Sequence, residues 1–130
     1  MVKRKISKLI LLVMCLLTVG TVSALAVGYD FHFKPPFTGS IQHSSPAVAD
    51  GSFTPYVDPD GTTNATTYVL TRPTSGSTDT VSSFATNVTS SKTSFTYNTG
   101  YGGAGQSYKL TGYPSNADFQ EYYADGEWKP

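Results

Sequence analysis

Residues 29–34 read Tyr-Asp-Phe-His-Phe-Lys, and this alternation of aromatic and polar side chains points to the fold class. A period of two is typical of a β-strand with one buried face and one exposed face. Pro35 and Pro36 follow at once, and neither can donate a backbone hydrogen bond, so the strand ends before them. The segment predicts a β-strand with aromatic side chains on one face and polar side chains on the other.

The rest of the chain after position 26 also favours strands. All 17 aromatic residues lie there, Ser and Thr make up 29 of those 104 residues, and only nine residues are Val, Ile or Leu. Such a composition suits a pleated surface and disfavours helices. We therefore predict an all-β chain, a single small antiparallel β-sandwich with a core made mainly of rings. About seven strands are predicted, at 29–33, 52–57, 66–72, 80–88, 93–98, 107–113 and 119–124, the last of which can extend to Trp128.

Residues 1–26 have the three parts of a helical signal peptide. Four basic residues fall in the first eight positions, 9–17 form an unbroken apolar run, and Ala24-Leu25-Ala26 supplies the small-x-small pattern of a cleavage site before Val27. The alternative is an uncleaved leader, which would be the chain's only membrane contact. We expect residues 27–130 to be exported by the general secretory route as one extracellular domain. Cys15 is the only cysteine, so that domain has no disulfide, which favours a Gram-positive bacterial source.

The charge balance excludes one class of partner. The formal net charge is zero, but four of the nine bases lie in the leader, which leaves five bases against nine acids. A net charge near −4 provides no basic footprint for phosphates, so nucleic acid is excluded as a partner.

One segment has spaced oxygen ligands. Asp58, Asp60 and Asn64 could contribute to a calcium loop, but the glycine of Asp-Pro-Asp-Gly is fourth, not sixth, and no Glu closes the loop. A tight turn explains the same residues, because Pro fixes φ and Gly accepts a positive φ. The turn is the favoured interpretation, and no metal or cofactor is predicted.

Tyrosine is frequent, with nine residues. Exposed tyrosines are common in binding surfaces, and rings can stack on sugars. Tyr101 lies in a glycine-rich loop at 98–106, Tyr122 and Tyr123 are adjacent on the last strand, and Trp128 follows them. These four are the candidate binding residues, and the alternative is that they fill a core short of aliphatic side chains.

Catalytic residues are scarce, so no catalytic residue is predicted. The only histidines are His32 and His43, and no nucleophile-elbow pattern occurs. Paired carboxylates for glycoside hydrolysis could come only from the acidic end, at Asp118, Glu121, Asp125 and Glu127. A hydrolase is the minority hypothesis.

Both ends of the domain resemble small secreted proteins of unknown function from Gram-positive bacteria. The shared features are an F-x-F strand (Phe31, Phe33), a glycine-rich loop (100–105), a strand Ser107-Tyr108-Lys109-Leu110, and a final Gly126-Glu127-Trp128. The resemblance implies a secreted β-sandwich and no activity.

These observations predict a small, secreted, non-enzymatic protein that binds at or near the bacterial cell surface. Its expected partner is wall polysaccharide or a surface protein. The alternative function is a bacteriocin-like effector directed at other bacteria; the negative charge disfavours the form of it that attacks anionic membranes.

Overall fold

The computed structural model describes residues 25–35, 40–74, 79–116 and 120–130. Within these ranges the chain is all-β, as predicted, and forms two antiparallel sheets of four and five strands. No described segment is a helix that could cross a membrane. The predicted leader lies outside the described residues except for its last two positions. The nine strands are β1 (Val27–Phe33), β2 (Gln42–His43), β3 (Ala47–Val48), β4 (Tyr56–Pro59), β5 (Thr66–Thr71), β6 (Ala85–Val88), β7 (Thr93–Ser94), β8 (Ser107–Pro114) and β9 (Tyr122–Lys129).

The four-stranded sheet joins the two ends of the domain. Its order is β1-β9-β4-β7, and the register of β1 on β9 runs from Val27 opposite Trp128 to Phe33 opposite Tyr122. β4 pairs with the other side of β9, with Asp58 opposite Glu127. The last strand of the chain therefore lies inside this sheet, and β1 lies at its edge.

The five-stranded sheet is built on the β5–β8 pair. Its order is β2-β8-β5-β6, and β3 also pairs with β8. Leu70 lies directly opposite Leu110 at the middle of this pair. All six residues of β5 are buried, so both faces of this strand are covered.

Two serines interrupt the regular backbone pairing at the outer sides of the β5–β8 pair: Ser44 beside β8 and Ser82 beside β5. Ser44, between β2 and β3, donates its N–H to the Leu110 carbonyl (2.8 Å), and its hydroxyl accepts the Leu110 N–H (2.9 Å). On the opposite side, the Ser82 hydroxyl accepts the Leu70 N–H (3.0 Å) while Val81 N–H donates to the Leu70 carbonyl (2.9 Å). A hydroxyl thus replaces a backbone acceptor at both places, and the regular ladder stops there.

These interruptions explain most differences from the predicted strands. Segment 80–88 forms a regular strand only at β6, with isolated bridges at Thr80 and Ser82, and 93–98 is regular only at β7. β2 and β3 were not predicted, because each has two residues and no usable period. β4 begins at Tyr56, after Pro55, rather than at Ser52.

The core between the sheets is aromatic, as predicted. Tyr29, Phe31 and Phe33 of β1 are buried, and the Tyr29 and Phe31 rings contact the Tyr68 ring of the other sheet at centroid distances of 5.6 and 6.3 Å. Trp128 is fully buried in the same cluster. Gly112 of β8 leaves space for these rings, because a Cβ there would lie 2.8 Å from the Phe31 ring. The core thus packs across both sheets, which leaves the outer faces to polar residues.

Candidate binding groove

A groove with a cavity volume of about 700 Å³ lies on the outer face of the four-stranded sheet. It crosses β1, β9 and the end of β4, and two of its lining residues, Gly28 and Gly126, carry no side chain. Among the residues that the structure describes, no Lys or Arg lines it. Five of the chain's nine acidic residues do, and these are Asp30, Asp58, Asp60, Asp125 and Glu127.

Strand register brings these carboxylates together. Asp30 lies directly opposite Asp125, and Asp58 lies directly opposite Glu127. Side chains at directly opposed positions share one face and approach closely, and like charges there are destabilising. The pairing concentrates negative charge on one surface without internal compensation from a lining base. Such a surface attracts cations.

The turn at the end of β4 closes one side of the groove. Gly61 has a φ of +77°, which fits the predicted tight turn, and the Asp60 N–H donates to the Asp125 carbonyl at 2.9 Å. A Cβ on Gly126 would lie 2.3 Å from the Asp58 carbonyl oxygen, so only glycine allows β4 to approach β9 this closely. The turn is therefore fixed against the neighbouring strand.

The candidate calcium ligands are only partly brought together. Asp58 and Asp60 both line the groove, whereas Asn64 is exposed and does not line it. Among the described residues, no group of three or more His, Cys, Asp or Glu side chains is arranged to hold a metal ion.

Tyr123 forms the aromatic wall of the groove. Its side chain is 60% exposed, and its ring stacks on the His32 ring with a centroid distance of 4.1 Å and an interplanar angle of 12°. The His32 Nε2 lies 2.5 Å from a Glu121 carboxylate oxygen. The stack and the His32–Glu121 hydrogen bond hold an exposed ring in one orientation, which lowers the entropy lost on binding.

The other three candidate binding residues lie elsewhere. Tyr101 is half-buried, and its hydroxyl accepts a hydrogen bond from the Arg72 guanidinium at 2.5 Å. The loop around it is tied down, because the Gln106 side-chain oxygen accepts the N–H groups of Gly102 and Gly103. Tyr101 is thus held against Arg72 and does not line the groove.

Tyr122 and Trp128 belong to the core, which is the alternative that the sequence left open. Tyr122 packs on the Phe33 ring, and its hydroxyl lies 3.0 Å from the Thr66 hydroxyl. Trp128 is fully buried, and its Nε1 has no hydrogen-bond partner among the described residues. Neither residue lines the groove.

The two histidines are separated. His43 lies on the five-stranded sheet, where its Nδ1 is 2.8 Å from the Thr111 hydroxyl. Burial lowers the pKa of the His43 imidazole below its ordinary value, and the Lys109 ammonium adds to this effect.

The four carboxylates of the acidic end are divided. Asp125 and Glu127 line the groove, Glu121 contacts His32, and Asp118 lies outside the described residues.

Sequence reasoning missed Asp30 as a site residue. Asp30 alternates with buried aromatic residues along β1, which is the pattern of any exposed strand position. Asp125, which lies opposite Asp30 in the sheet, is 95 residues away in the sequence. Only the β1–β9 register brings them together. The acidic content of the last strand was the available signal, since four carboxylates fall between 118 and 127.

Comparison of the chain with protein families, with curated proteins and with solved structures found no significant match.

Proposed function

We propose that the protein is a small secreted, non-enzymatic module that binds at the bacterial cell surface through the acidic groove. In this proposal residues 1–26 are removed on export, and residues 27–130 act as one β-sandwich domain. The observation that carries the proposal is the collection of five of nine carboxylates in one groove without a lining base.

The charge of the groove selects the chemistry of the partner. Opposed carboxylates repel each other, and a bound cation relieves that repulsion. A ligand that carries ammonium groups gains most from this surface. Among surface components we favour wall polysaccharide with free amino groups, because the groove also offers an exposed ring.

Tyr123 supplies the second contact. A sugar presents flat C–H faces that pack on aromatic rings, and an aromatic side chain contributes large contact area. The ring is fixed by His32 and Glu121 before any ligand arrives. The Tyr123 ring and the five carboxylates border one cavity, and its volume of about 700 Å³ suits a small saccharide unit.

Co-sedimentation with purified cell wall tests the proposal. We expect the protein to bind walls, and we expect Asp30→Asn with Asp125→Asn, or Tyr123→Ala alone, to lower binding about tenfold or more, which equals the loss of 1–2 kcal/mol. Asp79→Asn, an exposed acidic residue that does not line the groove, is the matched control and should bind as the parent does. High salt should also release the protein, since the attraction is between charges.

Three results would contradict the proposal. Equal binding by the groove variants and the control would place the contact elsewhere. Binding that is abolished by protease treatment of the walls would identify a surface protein as the partner. Clearing of bacterial lawns by the purified protein, without wall binding, would favour the effector.

A hydrolase is a second candidate, because Asp125 and Glu127 of the acidic end share the groove with Asp30 and Asp58. Glycoside hydrolysis needs two carboxylates in one cleft. Release of reducing sugar from cell wall that is lost in Asp125→Asn or Glu127→Gln would establish this activity. Wall binding without such release would exclude it.

A further inference from the structure

β1 is an edge strand with one side unpaired. All backbone pairing of Val27–Phe33 is with β9, and no other described segment forms a backbone hydrogen bond with it. The free side ends at Lys34, whose carbonyl accepts a hydrogen bond from Ser40. Seven residues of open backbone, without proline or lysine inside the strand, form a template for another strand.

The sequence of this strand is complementary to itself. In an antiparallel pair of two β1 strands with Phe31 opposite Phe31, Tyr29 lies opposite Phe33 and Asp30 lies opposite His32. Directly opposed residues share a face, so the aromatic positions meet on the core side and the polar positions on the outer side. Asp30 has no hydrogen-bond or ion-pair partner among the described residues, and His32 offers a ring nitrogen.

The complementarity extends into the sheet. In that register Lys34 of a second copy lies opposite Gly28, and Gly28 is opposite Glu127 of β9. Because Gly28 has no side chain, the lysine can reach over it to the row formed by Glu127 and Asp58. His32 of the second copy likewise lies in the row of Asp30 and Asp125. Basic groups of one copy thus face the acidic rows of the other.

We propose that two copies of this chain pair antiparallel through β1 around a two-fold axis at Phe31, which joins their four-stranded sheets into one sheet of eight strands. Alternative registers are poorer. An axis at Asp30 pairs all seven residues of β1 but places Asp30 opposite Asp30, whereas an axis at His32 leaves only residues 31–33 of β1 paired. The inference does not depend on the proposed function. Its consequence would be that Lys34 and His32 of one copy compete with a cationic ligand for the groove of the other.

Engineered disulfides test the register directly. Gly28→Cys with Lys34→Cys, in the full chain with Cys15→Ser so that no other thiol is present, should give covalent dimers on mild oxidation. Position 28 accepts a side chain, because the nearest non-neighbouring atom to its Cβ is the Gly126 oxygen at 3.9 Å. Gly28→Cys with His32→Cys reports the register centred on Asp30 and should crosslink much less.

Charge reversal tests the complementarity in solution. The unmodified chain should show a concentration-dependent dimer in sedimentation, and Asp30→Lys should raise the dimer dissociation constant about tenfold or more. Asp60→Lys, with the same charge change in the turn after β4 and outside the β1 edge, is the control and should leave the dimer dissociation constant nearly unchanged. A chain that stays monomeric at high concentration overturns the proposal, as does equal crosslinking by the two cysteine pairs. Circular dichroism confirms that each variant is folded before its result is used.

Discussion

Gly112 shows how a core made of rings depends on the smallest residue. It lies on β8 opposite Tyr68 of β5, and the Phe31 ring of the other sheet occupies the space that its side chain would take. Rings are too rigid to give way as aliphatic chains do, since interiors are close-packed. A single methyl group at this position has to displace the Phe31 ring.

We expect Gly112→Ala to lower the free energy of unfolding by about 1–3 kcal/mol, the usual effect of overpacking. Urea denaturation measures it. Gly28→Ala is the control, because its nearest non-neighbouring atom is 3.9 Å away, and it should change stability little. Phe31→Leu should cost less in the Gly112→Ala background than in the parent. Additive losses in that double-mutant cycle would show that the two residues do not compete for space.

At the scale of elements, Ser44 and Ser82 define where regular strands end. Each accepts the N–H of a leucine in the central β5–β8 pair, and each donates its hydroxyl to the carbonyl of the next residue. Both serines are buried. Loss of either hydroxyl leaves a leucine N–H without an acceptor in the core.

We therefore expect Ser44→Ala and Ser82→Ala each to lower the free energy of unfolding by about 1–3 kcal/mol. Ser45→Ala removes an exposed hydroxyl beside Ser44 and should stay within about 0.5 kcal/mol of the parent. Thermal and urea unfolding compare the three. If Ser44→Ala proves as stable as Ser45→Ala, a water molecule must accept the hydrogen bond of the Leu110 N–H in place of the serine hydroxyl.

Asp50 connects the segment after β3 to the last strand. Its carboxylate lies 2.8 Å from Lys129 Nζ and accepts the Ser52 N–H at 2.8 Å. Hydrogen bonding to Lys129, and then to Ser52, holds the pKa of Asp50 well below its ordinary value. A lowered folded-state pKa stabilises the fold above the unfolded pKa of about 4, and this contribution is lost as the pH falls below that value.

Asp50→Asn should lower the free energy of unfolding at neutral pH by about 1 kcal/mol or less, since the pair is partly exposed. The difference between variant and parent should shrink as the pH falls below about 4. Urea denaturation at a series of pH values measures both effects, with Asp60→Asn as the matched exposed carboxylate. A difference that stays constant with pH would assign the effect to packing.

The same elements show what the sequence alone could predict. The strands at 29–33 and 107–113 could be predicted from local pattern because they carry a period of two, whereas the strand predicted at 66–72 is buried on both faces and is indicated by its β-branched and aromatic residues. Segments 42–48 and 80–83 form short runs of backbone pairing that are interrupted at Ser44 and Ser82, so they leave no periodic signal. The groove was not predictable either, because Asp30, Asp58 and Asp125 meet only through the register of three strands distant in the chain.

At the scale of the whole molecule, the buried tyrosines link stability to alkaline pH. Burial raises the pKa of Tyr29, Tyr68, Tyr97 and Tyr122 above the ordinary value, and the neighbouring Tyr68 adds to the effect at Tyr29. These hydroxyls ionise first in the unfolded chain. Their contribution is therefore complete below about pH 10 and is lost as the pH rises above it.

We expect alkaline unfolding to be cooperative, with tyrosinate absorbance from the buried residues appearing together with the loss of near-ultraviolet circular dichroism. Tyr29→Phe should reduce the absorbance change in that step, and the Tyr29–Tyr68 hydroxyl contact of 3.2 Å is lost with it. Complete ionisation of all nine tyrosines before the fold is lost would contradict the burial of these four.

The position of β9 sets the order in which the molecule can assemble. This strand lies between β1 and β4, so neither of them gains its main partner in the four-stranded sheet until β9 has paired. Contacts between the chain ends form slowly because a long loop has to close first. While β9 is unpaired, the four-stranded sheet consequently stays open, with β1 separated from β4.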